Sequence, residues 1–240
     1  MHIPNGFLDP KISAGLGFAS AGALAYCFNR VREAATAPVA QEAFATAGRA
    51  ASNIVGQARR AVTSSGRSLL LRMAMIATLI FFAQMFDFPV THGTTGHLLG
   101  CALAAICLGP WAGALTMAGV LTAQSVFLGD GGLWALGANT FNMAIIGTVG
   151  AYYTYVAFRK LLPGRFSFYA GVICASWLSV VAAAAATALE VGFSGTDRVG
   201  WTLSSMISVH AVVGLAEALA TIAILGLLQK TFHDDESGQF

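Results

Sequence analysis

Seven stretches of this chain are apolar and of near-spanning length for a lipid bilayer, and that pattern limits the fold more than any other feature. They run at about 12–30, 69–87, 97–109, 111–128, 138–158, 167–189 and 202–228. Composition agrees: 56% of the residues are hydrophobic and 10% are charged, well under half the roughly 25% of soluble domains. The expected fold is an all-α membrane protein of about seven transmembrane helices. No polar stretch is long enough to build a second core, so residues 1–240 are expected to form one membrane-embedded domain. The third segment is short, and Gly109-Pro110 breaks it from the fourth, which predicts a tight hairpin or a partly re-entrant element.

The basic residues orient this array. Arg30, Arg32, Arg49, Arg59, Arg60, Arg67 and Arg72 lie between or just beyond the first two segments. Arg159, Lys160 and Arg165 follow the fifth segment, and Lys230 follows the seventh. In a seven-span path these connections share one side and hold 11 of the 13 basic residues; Lys11 and Arg198 are on the other. The positive-inside rule then puts the N-terminus outside and the C-terminus in the cytoplasm. The connection 34–66 is cytoplasmic on this reading. Within it, Val39, Phe44, Ile54, Val55 and Val62 admit one weak apolar helical face over 39–62, either docked on the inner leaflet or a partner, or solvated as a plain loop.

Several chemistries find no support in the residues. No GxxxxGK[ST] pattern occurs, so ATP hydrolysis through a P-loop is excluded and energy for uphill transport has to come from a partner or an ion gradient. No HExxH or Ser/His/Asp ordering points to an enzyme. Cys27, Cys101, Cys107 and Cys174 all sit in apolar runs without a CxxC and read as small core residues. Membrane lipid, and no nucleic acid, is the expected surrounding.

One stretch does point to chemistry. The chain opens Met1-His2-Ile3-Pro4-Asn5-Gly6, with no basic start and no apolar run before Ile12, so no signal peptide is expected. A bulky His2 should preserve Met1. The Met1 amine, the His2 amide nitrogen and the His2 ring can then hold one metal ion in adjoining chelate rings. Three nitrogens in a plane favour Ni(II) or Cu(II) and leave a fourth corner open.

His97 is the first candidate for that corner. It follows Gly93-Thr94-Thr95-Gly96 in an exterior loop entering the third segment, where Thr94 or Thr95 is expected to cap the helix that His97 starts. His92 is an accessory at best. Asn139 and Asn142 can bond a neighbouring backbone or orient a ligand histidine. Asp130 can add negative potential at the entrance. His210 and Glu217 share one face of the seventh segment, and a supporting or helix-packing role suits them better than ligation. Glu190 and Asp197 read as interfacial.

With these residues in view, the chain resembles a known family. The N-terminal stretch, GTTGHLLG over Gly93–Gly100, LGPW over Leu108–Trp111 and GGLWALGANTFN over Gly131–Asn142 resemble the CbiM/NikM family, the NikM-like branch slightly more. These are substrate-capturing membrane subunits of energy-coupling-factor (ECF) transporters for nickel and cobalt, of the prokaryotic cytoplasmic membrane. The resemblance implies that Met1 and His2 fold back into the helix bundle. It implies that the Met1 amine, the His2 amide and the His2 ring hold the ion, and that His97 completes a square plane. Asn139 would support the inserted loop. It further implies a transmembrane coupling (T) protein, two ABC-type ATPases and a small NikN/CbiN-like membrane subunit as partners. Ni2+ or Co2+ is then the transported substrate, Ni2+ the better fit, with no catalytic cofactor. Two departures stand out: 34–66 is longer than the family pattern, and Asn5 replaces a more usual Asp. Two other classes remain open: a self-sufficient proton-coupled metal transporter working through His210 and Glu217, and a membrane metalloenzyme with Glu217 as base.

Overall fold

In the computed structural model the described residues are 1–38, 60–86, 88–89 and 95–237. His92 lies outside them, as does the 39–62 stretch except its last three residues. Helix α1 (Pro10–Ala35) starts where Asp9 accepts a hydrogen bond from the Lys11 amide at 2.8 Å and Pro10 fills the first turn, where no amide donor is needed. It runs into a short antiparallel pair, β1 (Thr36–Pro38) with β2 (Arg60–Val62). Helix α2 (Ser64–Gln84) is capped by the Thr63 hydroxyl, which accepts from Gly66 N at 3.0 Å. A second short pair, β3 (Phe88–Pro89) with β4 (Thr95–Gly96), leads to α3 (Cys101–Ala123), which continues as a π-helical turn over Gln124–Leu128.

The Gly109-Pro110 break is a hairpin. Gly109 has φ 79° and ψ 176°, a conformation open to glycine and closed to a side chain bearing a Cβ. A Cβ added at Gly113 would lie 3.0 Å from the Ala104 carbonyl oxygen, so the two sides of the break run next to each other. The limb 101–108 is only about 12 Å long at ~1.5 Å per residue. It therefore dips part-way into a hydrocarbon core of ~30 Å instead of crossing it. The third predicted segment is thus not a full span, and its helix starts at Cys101, four residues later than expected.

The chain then forms α4 (Leu136–Thr140), a π-helical stretch (Phe141–Val149) and α5 (Gly150–Leu161) without interruption. Helices α6 (Gly164–Phe193) and α7 (Val199–Ser237) complete the bundle. Among the described residues five helical runs are long and apolar enough to cross a membrane: α1, α2, Cys101–Leu128, α6 and the Val199–Leu228 part of α7. The described residues form a mainly helical, multi-pass membrane protein with five such helices against the seven spans expected, and the continuous 136–161 run also joins the two ends of the bundle. The half-length limb and the π-helical run over 141–149 account for the difference.

Small residues let these helices approach closely, as membrane interiors require. Helix α6 buries Ala175, Ser176, Ser179, Ala183, Ala184 and Ala188. By contrast α1 buries only Ser20, Cys27 and Ala35, and leaves Phe18, Tyr26 and Phe28 exposed. The alternation of helix direction gathers residues 1–9, 95–100, 128–135 and 194–198 at one end, where Thr196 bonds the Phe7 carbonyl and Gly132 N bonds the Ile3 carbonyl. The strand pair β1–β2 and the 161–164 turn are at the other.

Candidate metal-capture site

The N-terminal segment does not lie on the surface. Met1 is 1% exposed, His2 4% and Ile3 not at all. Ile3 is the anchor: it packs with Ala135, Ala138 and Val191, flanked by Phe7, Leu8 and Leu16. Its backbone is clamped by one side chain, since Asn139 Oδ1 accepts from Ile3 N at 2.8 Å and Asn139 Nδ2 donates to Ile3 O at 3.2 Å. Gly132 N donates to the same carbonyl at 2.9 Å. Asn5 Oδ1 accepts from Trp134 N at 3.1 Å, so the departure at position 5 keeps an acceptor for that amide. Pairing of this kind is obligatory where water is excluded, because an unpaired buried amide costs about 1–3 kcal/mol.

His97 reaches the same place from the other side. Its segment is held by Glu217 of α7, whose two carboxylate oxygens accept from Leu99 N at 2.9 Å and Gly100 N at 2.6 Å. Gln84, at the end of α2, donates to Leu99 O at 2.6 Å. Helix α3 begins after Gly100, which has φ 75° and makes no side-chain cap, so the threonine cap expected from sequence does not form. Glu217 binds the entering backbone in its place, because a carboxylate brought by α7 serves two amides at once.

The two histidine rings meet at 4.7 Å between centroids, edge to face at 64°. His97 Nδ1 is 2.9 Å from Leu98 O, which suits an Nδ1–H donor and leaves Nε2 as an acceptor. That Nε2 finds no hydrogen-bond partner among the described residues, and neither ring nitrogen of His2 has one of regular geometry. His2 Nδ1 is nevertheless 2.7 Å from Asp130 Oδ1. Burial pushes the Asp130 carboxyl up, but the close hydrogen-bonding contact with His2 and the charge of the N-terminal amine outweigh it and hold the group below its ordinary range. Buried nitrogen lone pairs without partners are costly in an apolar interior and are what a soft-to-borderline cation takes up.

Among the described residues no three side chains of the His, Cys, Asp and Glu types converge to hold an ion. His210 is fully buried, its Nδ1 2.8 Å from the Met206 carbonyl, and its Nε2 lacks a partner among the described residues.

A family model described as the cobalt uptake substrate-specific transmembrane region, CbiM, matches residues 38–234. The chain belongs to the CbiM family. A CbiM relative from Archaeoglobus fulgidus, a putative fused nickel transport protein NikMN, is 34% identical over 95% of this chain. The chain spans 65% of that relative's length. A crystal structure of a truncated transition metal transporter superposes with a TM-score of 0.78 at 27% identity, covering 96% of this chain and 99% of that one. The S component of a bacterial ECF transporter shares the fold at a TM-score of 0.53 and 17% identity, over 69% of this chain and 98% of that one. CbiM membership and relatives named as metal transport proteins point to a transporter.

Three polar residues were misread or missed in sequence. Glu190, expected at the interface, is buried and accepts from Asn142 Nδ2 at 2.7 Å, which also ties Asn142 to Thr187 and away from either histidine. Gln84, inside the second apolar segment, is not among the residues singled out in the sequence, yet it is buried and bonds the Leu99 carbonyl. Asp130 was credited with a diffuse potential and instead touches His2. A polar residue with no polar neighbour in sequence was the available signal in each case.

Proposed function

We propose that this chain is the substrate-capture subunit of an ECF-type importer of a divalent transition metal, Ni2+ ahead of Co2+. The Met1 amine, the His2 amide nitrogen and the His2 ring hold the ion from three corners of a plane, and His97 closes the fourth. Asn139 keeps the N-terminal segment inserted, and Glu217 keeps the His97 segment in register. The observation that carries this reading is the pairing of two buried histidine rings with open nitrogens beside a buried N-terminal residue. Ni2+ is preferred because four nitrogens in a plane are a tetragonal ligand set.

The domain is a single unit in the cytoplasmic membrane of a prokaryote, N-terminus outside, with the basic end in the cytoplasm. A T component, two ABC-type ATPases and a small NikN/CbiN-like subunit supply the energy and the rest of the path. The exposed small residues Gly15, Ala19 and Gly22 on α1 give a flat face for the T component, and a Cβ at Gly15 or Gly22 would meet nothing within 4 Å. A proton-coupled transporter working through Glu217 has less support, because both carboxylate oxygens already serve backbone amides.

Calorimetric titration of NiCl2 and CoCl2 tests the reading, on the chain starting at Met1 and on one with a glycine placed before it. One-to-one binding that the extra glycine abolishes is expected, with the metal ranking naming the substrate. Affinity should weaken as the pH is lowered, because the amine and amide lose their protons to bind. Equal binding by both chains would exclude the N-terminal chelate.

A further inference from the structure

Every atom proposed to hold the ion is buried, which leaves open how a hydrated dication arrives. Among the described residues of the cluster, Asp130 is the one with a partly exposed side chain. The Asp130 side chain is 24% exposed while the His2 side chain beneath it is 3% exposed, and the two are 2.7 Å apart. Backbone geometry fixes this position. Gly129 and Gly131 flank it with φ 68° and 77°, Asp130 N donates to Gln124 O at 3.2 Å, and Ser125 donates to Gly131 O at 3.0 Å. The other described acids at this end are occupied elsewhere: Asp9 on the Lys11 amide, Asp197 on the Arg198 amide, Glu190 on Asn142.

Resting on the capture reading above, we propose that Asp130 is the entry ligand: its carboxylate receives the hydrated dication and passes it to His2. A carboxylate is a hard oxygen ligand that replaces water on a dication readily and holds it loosely. The nitrogen set beneath is the stronger donor for Ni2+ and draws the ion inward. As the ion settles, the His2 ring exchanges its contact with Asp130 for the metal, and the carboxylate returns to solvent. Asp130 thus sets the speed of capture more than its tightness. A carboxylate that merely held the His2 ring would act the other way, on the off-rate.

Stopped-flow binding of Ni2+ to the full chain in an uncharged detergent separates these roles, with intrinsic tryptophan fluorescence as the signal. For the native chain, kon should fall between about 10 mM and about 300 mM salt, conditions on either side of a ~10 Å screening length. Asp130→Asn should lower kon about tenfold at low salt, the small end of electrostatic steering, and flatten its salt dependence. Its koff should fall by a similar factor, leaving Kd within about twofold, and Asp130→Glu should recover most of kon. A native kon indifferent to salt overturns the proposal whether or not the variants fold. So does an Asp130→Asn chain with native kon and a raised koff. A native chain that takes up no Ni2+ overturns the capture reading itself, a failure visible before any variant is made.

Discussion

Two short segments bring one buried histidine each to the same place, and they are held by opposite means. Residues 1–8 carry His2 and are fixed by a neutral amide, Asn139, gripping both the N–H and the carbonyl of Ile3. Residues 95–100 carry His97 and are fixed by Glu217, a carboxylate that accepts two backbone amides. The neutral clamp is duplicated, since Gly132 N also bonds the Ile3 carbonyl. Among the described residues nothing else accepts a hydrogen bond from the Leu99 and Gly100 amides. The Ile3 carbonyl is therefore held twice over, whereas the two amides of the His97 segment depend on one side chain, with Gln84 holding the Leu99 carbonyl alone.

Removing the unduplicated clamp should cost most. Glu217→Ala strands two buried amides and is expected to destabilise the protein by about 2–5 kcal/mol, with Glu217→Gln intermediate because one acceptor survives. Thermal unfolding in detergent measures the loss, and faster hydrogen exchange at Leu99 and Gly100 locates it. Equal stability of Glu217→Ala and native protein would dissolve the contrast. Asn139→Ala should act on binding more than on folding, lowering metal affinity about 10- to 100-fold, as support residues of metal sites commonly do. Asn139→Asp sharpens the point: it keeps an acceptor for Ile3 N but sets a second oxygen against the Ile3 carbonyl in place of the donor, so titration should find affinity no better than in Asn139→Ala.

The contrast also explains what could be read from the sequence. Met1, His2, His97 and Asn139 stand in short motifs whose residue types advertise ligand chemistry, and the apolar pattern announces the helices around them. The role of Glu217 was not legible, because its partners are backbone amides 118 and 117 residues away in a segment without periodicity. Asn142 and Glu190 hide each other in the same way, 48 residues apart on different helices. The 101–108 limb reads as a span because hydrophobicity reports burial in lipid and says nothing of the direction in which a chain turns at Gly109. Charge patterning speaks of orientation and is silent on which acid touches which base.

Smaller effects probe the N-terminal clamp from its flanks. A Cβ at Gly132 would overlap the backbone nitrogen and side-chain oxygen of Asn5, so Gly132→Ala has to push the inserted segment outward. A loss of about 1–3 kcal/mol, typical of overpacking, is expected in thermal unfolding of the metal-free protein, with weaker metal binding in titration. The least effect belongs to Asp130. Its carboxyl is held below the ordinary value of 3.8, so its contact with His2 adds stability that is complete above that pH and is lost as pH falls through the lowered value. Acid titration of the metal-free chain should show about 1 kcal/mol or less of this loss, and Asp130→Asn should remove it.

The nickel K-edge absorption spectrum of the loaded, native-start chain tests the plane of four nitrogens most directly. The account predicts the pre-edge feature that square-planar Ni(II) displays, and its loss in His97→Ala, where water ligands raise the coordination number towards six. A six-coordinate edge in the native chain, unchanged by His97→Ala, would contradict the site at its centre.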